Sequence, residues 1–543
     1  MSNAYFKVRR PQTEPIKSYK PGSQEKKELK AKINELKSKK IEIPLIIGGK
    51  EVKTGNLAKC IIPHDKEHVL AEYHQAGEKE IEMAVEAARK AWKEWSEMPW
   101  QHRAAIFLKA AELLAGPWRS TLNAATMLGQ SKSAFQAEID SACELIDFFR
   151  FNAYYMTEIF GDQPDSTVDS WNRLEYRPME GFIFAVTPFN FTSIAGNLPT
   201  APAMVGNVSL WKPASSSVYS GYFIMRLLEE AGLPAGVINF VPGRGSKVGN
   251  PVMNNEHLAG VHFTGSTGVF QGMWQQIANN LPKYHCYPRI VGETGGKDFI
   301  FAHETADVVA LKTALIRGSF EYQGQKCSAA SRAFIPENVW KELKDPFIAE
   351  VKAIKMGVAE DFTNFFNAVI DKAAFDSIKE YIDYAKSSDD AQIIAGGNCD
   401  DSKGFFIEPT VILTTDPYFK TMKEEIFGPV LTIYVYKETE LDKALEYCDK
   451  GSPYALTGAI FAKDRSALVY MEKALTHAAG NFYINDKPTG AVVSQQPFGG
   501  GRASGTNDKA GSKLNLLRWM NPRTIKENLN PPTDYRYPFM DEE

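Results

Sequence analysis

Cys327 and Glu293 are two residues whose surroundings favour covalent chemistry. Residues 320–332 read FEYQGQKCSAASR, so small side chains follow the sulfur of Cys327 and leave room for a second molecule. Residues 291–297 read VGETGGK, so Glu293 stands among glycines, where the backbone packs closely and the side chain can swing. A thiol nucleophile and a separately held carboxylate base are what a two-step covalent reaction needs.

Each of these two peptides has a plainer explanation when it is taken alone. A single cysteine is most often a small buried hydrophobe chosen for packing, and a glutamate near glycines is usually a loop residue. The other motifs of the chain favour the chemical explanation, because they supply the further polar groups that such a reaction would use.

Polar side chains follow two apolar runs that predict buried strands. Asn190 comes shortly after residues 181–186, and Lys212 comes directly after residues 208–211. The Asn190 amide is suited to hydrogen-bond an oxyanion, and the alternative is that it caps the next helix. Lys212 places a cation where ribose or phosphate oxygens would lie, and the alternative is an exposed lysine at a strand end.

Two glycine-rich loops lie between predicted strands and helices. Residues 243–249 read GRGSKVG and residues 263–268 read FTGSTG. A glycine loop between a strand and a helix is the usual setting for phosphate binding. The first loop is one residue longer than the usual dinucleotide fingerprint and is weak alone. Two such loops from adjacent strands together predict a nucleotide site.

The elements that must position these groups alternate between strand and helix from residue 181 onward. This alternation predicts α/β architecture with doubly wound parallel sheets, whose ligands lie at the carboxyl ends of the strands. Helices are predicted before it at 24–40, 78–96, 100–115, 118–129 and 132–155, and a hairpin at 43–52. Further strands are predicted at 237–241, 260–263, 299–301, 333–335, 392–394, 430–436 and 456–461.

The bulk composition excludes several classes of protein. A chain of 543 residues is too long for one core and implies two or three domains. The formal net charge of −4 gives no electrostatic reason to expect nucleic acid or an anionic membrane as a partner. No apolar run is long enough for a membrane span. The six cysteines are widely scattered, which favours a reducing compartment with free thiols.

The two ends of the chain differ in character. Residues 1–20 are basic, contain two prolines and lack an amphipathic period, which predicts a solvated arm. Residues 518–543 are rich in proline and tyrosine and predict an extended arm at a subunit contact.

The motifs taken together resemble those of aldehyde dehydrogenases, over residues 14–527. The matching stretches are 187–190 (TPFN), 211–214 (WKPA), 263–268 (FTGSTG), 293–296 (ETGG), 324–327 (GQKC) and 424–429 (EEIFGP). The resemblance implies an aldehyde dehydrogenase-like α/β fold with two doubly wound, Rossmann-like domains and a β-strand oligomerisation flap. Its divisions would be residues 1–158 with 181–293 for NAD, 294–505 for catalysis, and 159–180 with 506–543 for the flap.

The resemblance also assigns roles to residues. Cys327 would be the nucleophile and Glu293 the general base, and the side chain of Asn190 with the backbone N–H of Cys327 would form the oxyanion hole. The residues expected to bind NAD are Thr187, Lys212, Gly265, Ser266, Thr267, Gly268, Val269, Glu425 and Phe427. Those expected to bind the substrate are Ser328, Gly490, Ala491 and Phe498, and no metal is expected.

The stretches 148–152, 324–329 and 481–508 resemble the members of this family that oxidise L-glutamate γ-semialdehyde to L-glutamate with NAD, in proline degradation. Two residues depart from the pattern. Ala491 stands where the subfamily often has serine, which predicts weaker substrate binding, and Ser215 stands where many members have an acid that holds the adenosine ribose. The NAD preference therefore follows from the family alone.

Several alternatives remain open at this stage. A dehydrogenase for another carboxylated semialdehyde, such as succinate semialdehyde, is the nearest enzymatic one, and a catalytically silent relative with a structural or binding role is the other. The chain is too short to add a proline-oxidising domain. A small-molecule substrate, a homodimer or larger homo-oligomer and a cytoplasmic location are expected, with the mitochondrial matrix as the alternative location in a eukaryote.

Overall fold

Two seven-stranded sheets organise the chain in the computed structural model, which describes residues 7–542. Each sheet has helices on both faces, and each is built mainly from parallel strands. None of the helices described between residues 7 and 542 has the length and apolar character that crossing a membrane requires.

Residues 7–293 form eleven strands and ten α-helices. The strands are β1 (Ile41–Ile43), β2 (Leu45–Ile47), β3 (Lys50–Val52), β4 (Leu57–Ile62), β5 (Asp65–His74), β6 (Ser170–Arg177), β7 (Phe182–Val186), β8 (Val208–Lys212), β9 (Ile238–Phe240), β10 (Leu258–Thr264) and β11 (Arg289–Glu293). The helices are α1 (Gln24–Lys37), α2 (Glu78–Glu97), α3 (Trp100–Ala115), α4 (Arg119–Gln130), α5 (Ala134–Ala137), α6 (Leu145–Phe160), α7 (Thr192–Met204), α8 (Val218–Ala231), α9 (Gly245–Met253) and α10 (Thr267–Asn280).

The second half begins at Asp298. Its strands are β12 (Asp298–Ala302), β13 (Ala330–Pro336), β14 (Ala391–Ala395), β15 (Cys399–Asp400), β16 (Phe406–Ile407), β17 (Thr410–Thr414), β18 (Val430–Tyr436), β19 (Tyr454–Ala455), β20 (Thr457–Phe461), β21 (Asn481–Ile484), β22 (Gly501–Arg502) and β23 (Asn521–Asn528). Its helices are α11 (Val308–Phe320), α12 (Glu337–Lys352), α13 (Lys372–Lys386), α14 (Lys420–Lys423), α15 (Leu441–Lys450), α16 (Arg465–Ala474) and α17 (Lys513–Leu517).

The first large sheet has the strand order β11-β10-β7-β8-β9-β2-β3. The pairs from β11 to β9 are parallel, so the carboxyl ends of these strands lie on one edge of the sheet. Val186 pairs with Lys212, and Thr264 pairs with Glu293. The doubly wound parallel sheet predicted from the alternating elements is thereby confirmed for this region.

The second large sheet has the order β14-β17-β18-β13-β12-β20-β21, with only β14 antiparallel to its neighbour. Successive residues of its central strand enter different cores. Phe299 and Phe301 pack into one apolar cluster, and Ile300 and Ala302 pack into the cluster on the opposite face. Since side chains alternate along a strand, a run without polar residues means that helices cover both faces.

A separate two-stranded antiparallel ladder joins β6 to β23, from Ser170 paired with Asn528 to Arg177 paired with Asn521. The side chain of Trp171 on this ladder is 61% exposed. The ladder joins a strand between α6 and β7 to a strand near the end of the chain, which are the two segments expected to form a flap.

Two local predictions had different outcomes. The hairpin at residues 43–52 is confirmed: β2 and β3 pair, and Gly48 and Gly49 in its turn have φ angles of 58° and 72°.

The prediction of a single helix at residues 132–155 is wrong. A π-helical turn at Glu138–Glu144 separates α5 from α6, and it points several buried polar side chains toward neighbouring helices.

Candidate active site

Cys327 lies between α11 and β13, just after a strained turn. A short 3₁₀ segment, Glu321–Gly324, follows α11, and within it Tyr322 and Gln323 have left-handed φ angles of 51° and 56°. A Cβ atom on Gly324 would lie 2.2 Å from the carbonyl oxygen of Gly428, so only glycine fits there. Non-glycine residues in this conformation cost on the order of 1–3 kcal/mol each and cluster at functional sites.

Two cavities meet at Cys327. The first has a volume of about 1020 Å³ and the second a volume of about 700 Å³, and Cys327 lines both of them. Although its side chain is only 8% exposed, the sulfur can therefore be approached from two directions. Among the predicted residues, the first cavity is lined by Glu293, Ser328, Gly490, Ala491 and Phe498. The second is lined by Thr187, Asn190, Lys212, Gly265, Ser266, Val269, Glu425 and Phe427.

The Cys327 thiol is held in its neutral form. Burial raises its pKa well above the ordinary value, and the nearby carboxyl groups of Asp298, Glu425 and Glu293 add to that rise. A thiol in such a place needs a base before its sulfur can attack.

Glu293 ends β11, and its side chain lies in the first cavity. Its Oε2 atom is buried without a hydrogen-bond partner among the described residues. Burial raises the pKa of this carboxyl well above its ordinary value, while a backbone N–H of Gly500 and the Lys509 ammonium oppose that rise. A carboxylate with a raised pKa is a stronger base than one in water, as general-base chemistry near neutral pH requires.

Asn190 lies beside the loop that carries the nucleophile. Its Nδ2 atom donates a hydrogen bond to the carbonyl oxygen of Gln325 at 3.1 Å, two residues before Cys327. The neighbouring Phe189 ring meets the ring of Phe427 edge to face, with centroids 5.7 Å apart. The structure thus brings an amide donor from the first sheet against the cysteine loop.

The second cavity has the donor and acceptor set of a dinucleotide site. Lys212 is buried, and its ammonium donates to the carbonyl oxygen of Pro213 at 3.1 Å without an acidic partner in the described part of the chain. Burial lowers the Lys212 pKa to about 8. An ammonium without an acidic partner, a buried carboxylate at Glu425 and a helix that begins at Thr267 fit phosphate oxygens and ribose hydroxyls.

Close contacts explain why residues 295 and 296, in the ETGG stretch, are both glycine. The backbone N–H of Gly296 donates to Glu425 Oε1 at 2.9 Å, and a Cβ atom on Gly295 would lie 2.2 Å from Glu425 Oε2. Glycine at 295 lets the Glu425 carboxylate approach the backbone, and glycine at 296 leaves room for the carbonyl oxygen of Cys327, which would lie 2.2 Å from a Cβ atom there. Thr267 and Gly268, also predicted to bind the cofactor, begin α10 and lie outside the lining of both cavities.

The first cavity is lined by the loop at residues 487–491 and by the cations Arg317, Lys326 and Lys487. Ser328 and Thr489 share a hydrogen bond of 2.8 Å between their hydroxyls, and Gly490 has a φ angle of 94°. The Lys487 ammonium donates to the carbonyl oxygen of Thr489 at 2.8 Å, which fixes the loop from behind. Ala491 contributes a methyl group and a backbone N–H to this wall.

The segment of residues 13–20, which precedes α1, also lines the first cavity, so the solvated arm predicted for residues 1–20 is wrong for this part, whereas Lys7, Arg9 and Arg10 are exposed as predicted. Tyr19 is buried and donates from its hydroxyl to Glu138 Oε2 at 2.7 Å. Glu14 forms ion pairs of 2.6 Å with Arg119 and with Arg150. The one acid of this segment therefore has partners on α4 and α6. Residues 1–6 lie outside the described residues.

Two further side chains of the first cavity had no predicted role. Lys326 lines it, with its ammonium 3.1 Å from Glu321 Oε2, and Glu144 lines it too. Burial raises the pKa of Glu144 to about 8. Lys326 stood within the recognised GQKC stretch, whereas nothing in the sequence singled out Glu144.

A group of possible metal ligands lies far from Cys327. The ligand atoms of Glu256, His257 and His285 lie within 4.8 Å of one another, next to the amino end of β10. The two imidazole rings stack with their planes 19° apart, and the Nε2 atoms of His257 and His285 lie 3.5 and 3.4 Å from the two carboxylate oxygens of Glu256, so ion pairing with this carboxylate already accounts for the grouping. This arrangement gives no reason to place a metal ion there.

The sequence model of the aldehyde dehydrogenase family matches residues 51–525. The chain belongs to the aldehyde dehydrogenase family. It is similar to the mitochondrial Δ1-pyrroline-5-carboxylate dehydrogenase of Dictyostelium discoideum, with 53% identity over 98% of this chain and 96% of that protein. The human mitochondrial protein of the same name is 47% identical over 97% of this chain and 94% of its own length.

A solved structure gives the same result for the fold. The Δ-pyrroline-5-carboxylate dehydrogenase of Mycobacterium tuberculosis, bound with NAD, superimposes with a TM-score of 0.97 at 49% identity and covers 100% of both chains. The aldehyde dehydrogenase-like fold expected from the motifs is confirmed.

Proposed function

We propose that the chain oxidises L-glutamate γ-semialdehyde, the open form of Δ1-pyrroline-5-carboxylate, to L-glutamate with NAD, as in proline degradation. The observation that carries the proposal is the position of Cys327, where one cavity suited to an aldehyde meets another suited to a dinucleotide. The names of the relatives that match the whole chain support the choice of substrate.

The first step joins the Cys327 sulfur to the aldehyde carbon. The thiol gives its proton to Glu293, which lines the same cavity, and the sulfur attacks the carbonyl carbon. The carbonyl oxygen becomes an oxyanion, which accepts hydrogen bonds from Asn190 Nδ2 and from the backbone N–H of Cys327. Donors that already face the position of the developing charge need no reorganisation, which is why such a site lowers the barrier.

The second step removes hydride from the carbon. NAD bound in the second cavity would supply the hydride acceptor, and as the hydride leaves, the oxyanion would re-form its C=O bond to give the Cys327 thioester. Lys212, Thr187, Glu425 and the loop at residues 265–269 would hold it, with Phe427 against the ring region. The task of these residues is orientation, which can supply several kcal/mol of the barrier, roughly 7–11 in favourable cases.

The third step releases the product from the sulfur. Glu293, once it has returned its proton to solvent, takes a proton from a water molecule, and the hydroxide attacks the thioester carbon. The carbon–sulfur bond breaks, glutamate leaves as a carboxylate, and Cys327 regains a proton. Burial of Glu293 keeps its proton affinity high enough for this task.

Replacement of Asn190 with alanine should lower kcat by about 10²–10³, because one donor to the oxyanion is lost. The Kd for NAD should stay near the wild-type value, since the change removes no charge from the cofactor cavity. Steady-state NADH formation and a binding titration measure the two quantities. Asn197→Ala, which removes a buried amide that lines the first cavity instead, is the matched control and should keep kcat. An unchanged kcat in Asn190→Ala would contradict this role.

Replacement of Ala491 with serine should strengthen substrate binding, because it adds one hydroxyl to the loop. The loop at residues 488–491 is proposed to capture the substrate carboxylate through backbone N–H groups, helped by Ser328. Ala491→Ser adds a donor, and a hydrogen bond to a charged group is worth roughly 1.5–3 kcal/mol. KM should fall about tenfold with kcat unchanged, because the loop does not touch the sulfur. A KM that does not fall would count against carboxylate capture by this loop.

Two tests separate the proposal from its rivals. Steady-state NADH formation is measured with Δ1-pyrroline-5-carboxylate and with succinate semialdehyde, and a clear preference for the second would defeat the choice of substrate. Absence of NADH formation from any aldehyde would favour a silent relative instead. The intact set of Cys327, Glu293 and Asn190 argues against that second rival.

The proposal includes an assembly and a compartment. The residue divisions at 158, 180, 293 and 505 follow the two large sheets, and the exposed ladder of β6 and β23 supports a homodimer built through the flap. Size-exclusion chromatography with light scattering tests it. We propose the cytoplasm for a bacterial cell and the mitochondrial matrix for a eukaryotic one, the latter supported by relatives named mitochondrial.

A further inference from the structure

A fully buried ion pair lies behind the wall of the active site. The Lys132 ammonium is 2.6 Å from Asp140 Oδ2, and neither side chain is exposed to solvent. Lys132 also lies over the rings of Phe191 and Tyr322, 4.4 Å from each centroid. It is absent from the lining of both cavities, so it does not reach a ligand bound in either.

Asp140 holds the chain immediately after Asn190. Its Oδ2 accepts from the backbone N–H of Thr192 at 3.0 Å, and its Oδ1 accepts from the N–H of Ser193 at 2.9 Å and from the Ser193 hydroxyl at 2.8 Å. These N–H groups are the free donors at the start of α7. Asp140 therefore caps α7 from another element, the π-helical turn Glu138–Glu144.

Residues 130 and 131, the neighbours of Lys132 in sequence, contact the turn before Cys327 and the residues on either side of Asn190 (189–193, called here the Asn190 segment). The carbonyl oxygen of Ser131 accepts from Gln323 Nε2 at 3.1 Å, in the strained turn before Cys327. Gln130 donates to the carbonyl oxygen of Phe189 and accepts from the Thr192 hydroxyl at 2.9 Å. Residues 130–132 thus contact the two segments that carry the oxyanion donors, one on each side.

We propose that the Lys132–Asp140 ion pair is a positioning device, which fixes the Asn190 amide relative to the Cys327 backbone N–H. The inference rests on the proposed function, because it assigns those two donors to the oxyanion. Stability alone does not explain the pair, since replacing a buried ion pair with apolar residues is often neutral or stabilising. A pair that holds α7 and the Tyr322 ring together gives a geometric reason for two buried charges.

A double-mutant cycle tests the inference, because residues that act through one another are not additive. Lys132→Met is made in the wild type and in Asn190→Ala, and kcat is measured for all four proteins. Lys132→Met should lower kcat about 10- to 100-fold in the wild type, as expected for a small displacement of a catalytic donor. In the Asn190→Ala background it should lower kcat by about twofold or less, since the positioned amide is gone.

The control is Arg119→Met, which breaks another buried ion pair, with Glu138, that does not touch the Asn190 segment. Arg119→Met should change kcat by the same factor in the wild type and in Asn190→Ala. The doubly changed Lys132→Met/Asp140→Asn, which leaves no unpaired charge, should recover the wild-type Tm while kcat remains low.

Two outcomes would overturn the inference: equal effects of Lys132→Met in both backgrounds, or full kcat in the charge-free double variant. The cycle uses any aldehyde that the wild type oxidises. A wild type without activity on Δ1-pyrroline-5-carboxylate contradicts the proposed substrate, whereas an active wild type with an additive cycle contradicts only the positioning role.

Discussion

Cys327→Ala will abolish NADH formation, with a loss in kcat of about 10⁴-fold or more. The methyl group cannot bond to the aldehyde carbon, so neither the hemithioacetal nor the thioester forms. The side chain is small and lies at the junction of the two cavities, so its removal should leave both of them in place. Steady-state kinetics measures the loss, and a titration with NAD shows whether the cofactor cavity is intact.

A second cysteine supplies the matched control. Cys143 is also buried and also lines the first cavity, and burial raises the pKa of its thiol as well. Cys143→Ala should keep NADH formation, since nothing places that sulfur at the second cavity. If Cys327→Ala retains turnover while Cys143→Ala loses it, the nucleophile has been assigned to the wrong sulfur.

The sequence alone predicts that the polar residues of the second cavity lie together. β7, β8 and β10 are continuous apolar runs, which predict strands covered on both faces. Parallel strands end on the same edge, so Asn190, Lys212 and Gly265 had to come together once the sheet order was right. The resemblance to the family then predicted that these residues lie near Cys327, which comes just before β13 of the other large sheet.

The turn before Cys327 could not be predicted in the same way. Tyr322 has a left-handed backbone conformation that aromatic residues rarely adopt, so local preferences argue against it. It is held by contacts from distant parts of the chain, including Lys132 over its ring and the hydrogen bonds of Gln323 to Ser131 and Ala368. Such strain is stable only where the surroundings fix it.

The N-terminal segment shows a second limit. Its charges are those of a solvated arm, yet the Glu14 carboxylate pairs with Arg119 and Arg150, and the backbone N–H of Lys17 donates to Glu138. All three partners lie more than a hundred residues away along the chain. A single sequence does not show which distant charges pair. The interruption of the predicted helix at 132–155 has a similar origin, because the π-helical turn directs Asp140 toward the start of α7.

Glu293→Gln will stop the reaction after the thioester has formed. The amide has nearly the same shape but cannot accept a proton, so water attacks the thioester without a base. Steady-state kcat should fall about 10²–10⁴-fold. Thioester formation also slows, because Cys327 loses the acceptor of its proton, but the thiol can still ionise to solvent as the pH is raised, whereas the water that attacks the thioester has no other base. At a pH high enough to ionise the thiol, hydrolysis is therefore the slowest step, and the acylated protein accumulates. Intact-protein mass spectrometry should detect the acyl group on Cys327, and NADH formed before the steady state should approach one per active site.

The pH profile separates Glu293 from Glu425, a second buried carboxylate near the sulfur. Hydrolysis needs Glu293 ionised, and burial raises its pKa, so wild-type kcat should rise as pH increases through that pKa and then level off. Glu293→Gln should lose this rise. Glu425→Gln is the matched control, since burial raises the pKa of Glu425 to about 7 but its side chain lines only the cofactor cavity. It should weaken NAD binding, keep the rise in kcat and accumulate no acylated protein. A rise that disappears in Glu425→Gln and persists in Glu293→Gln would show that the general base is Glu425.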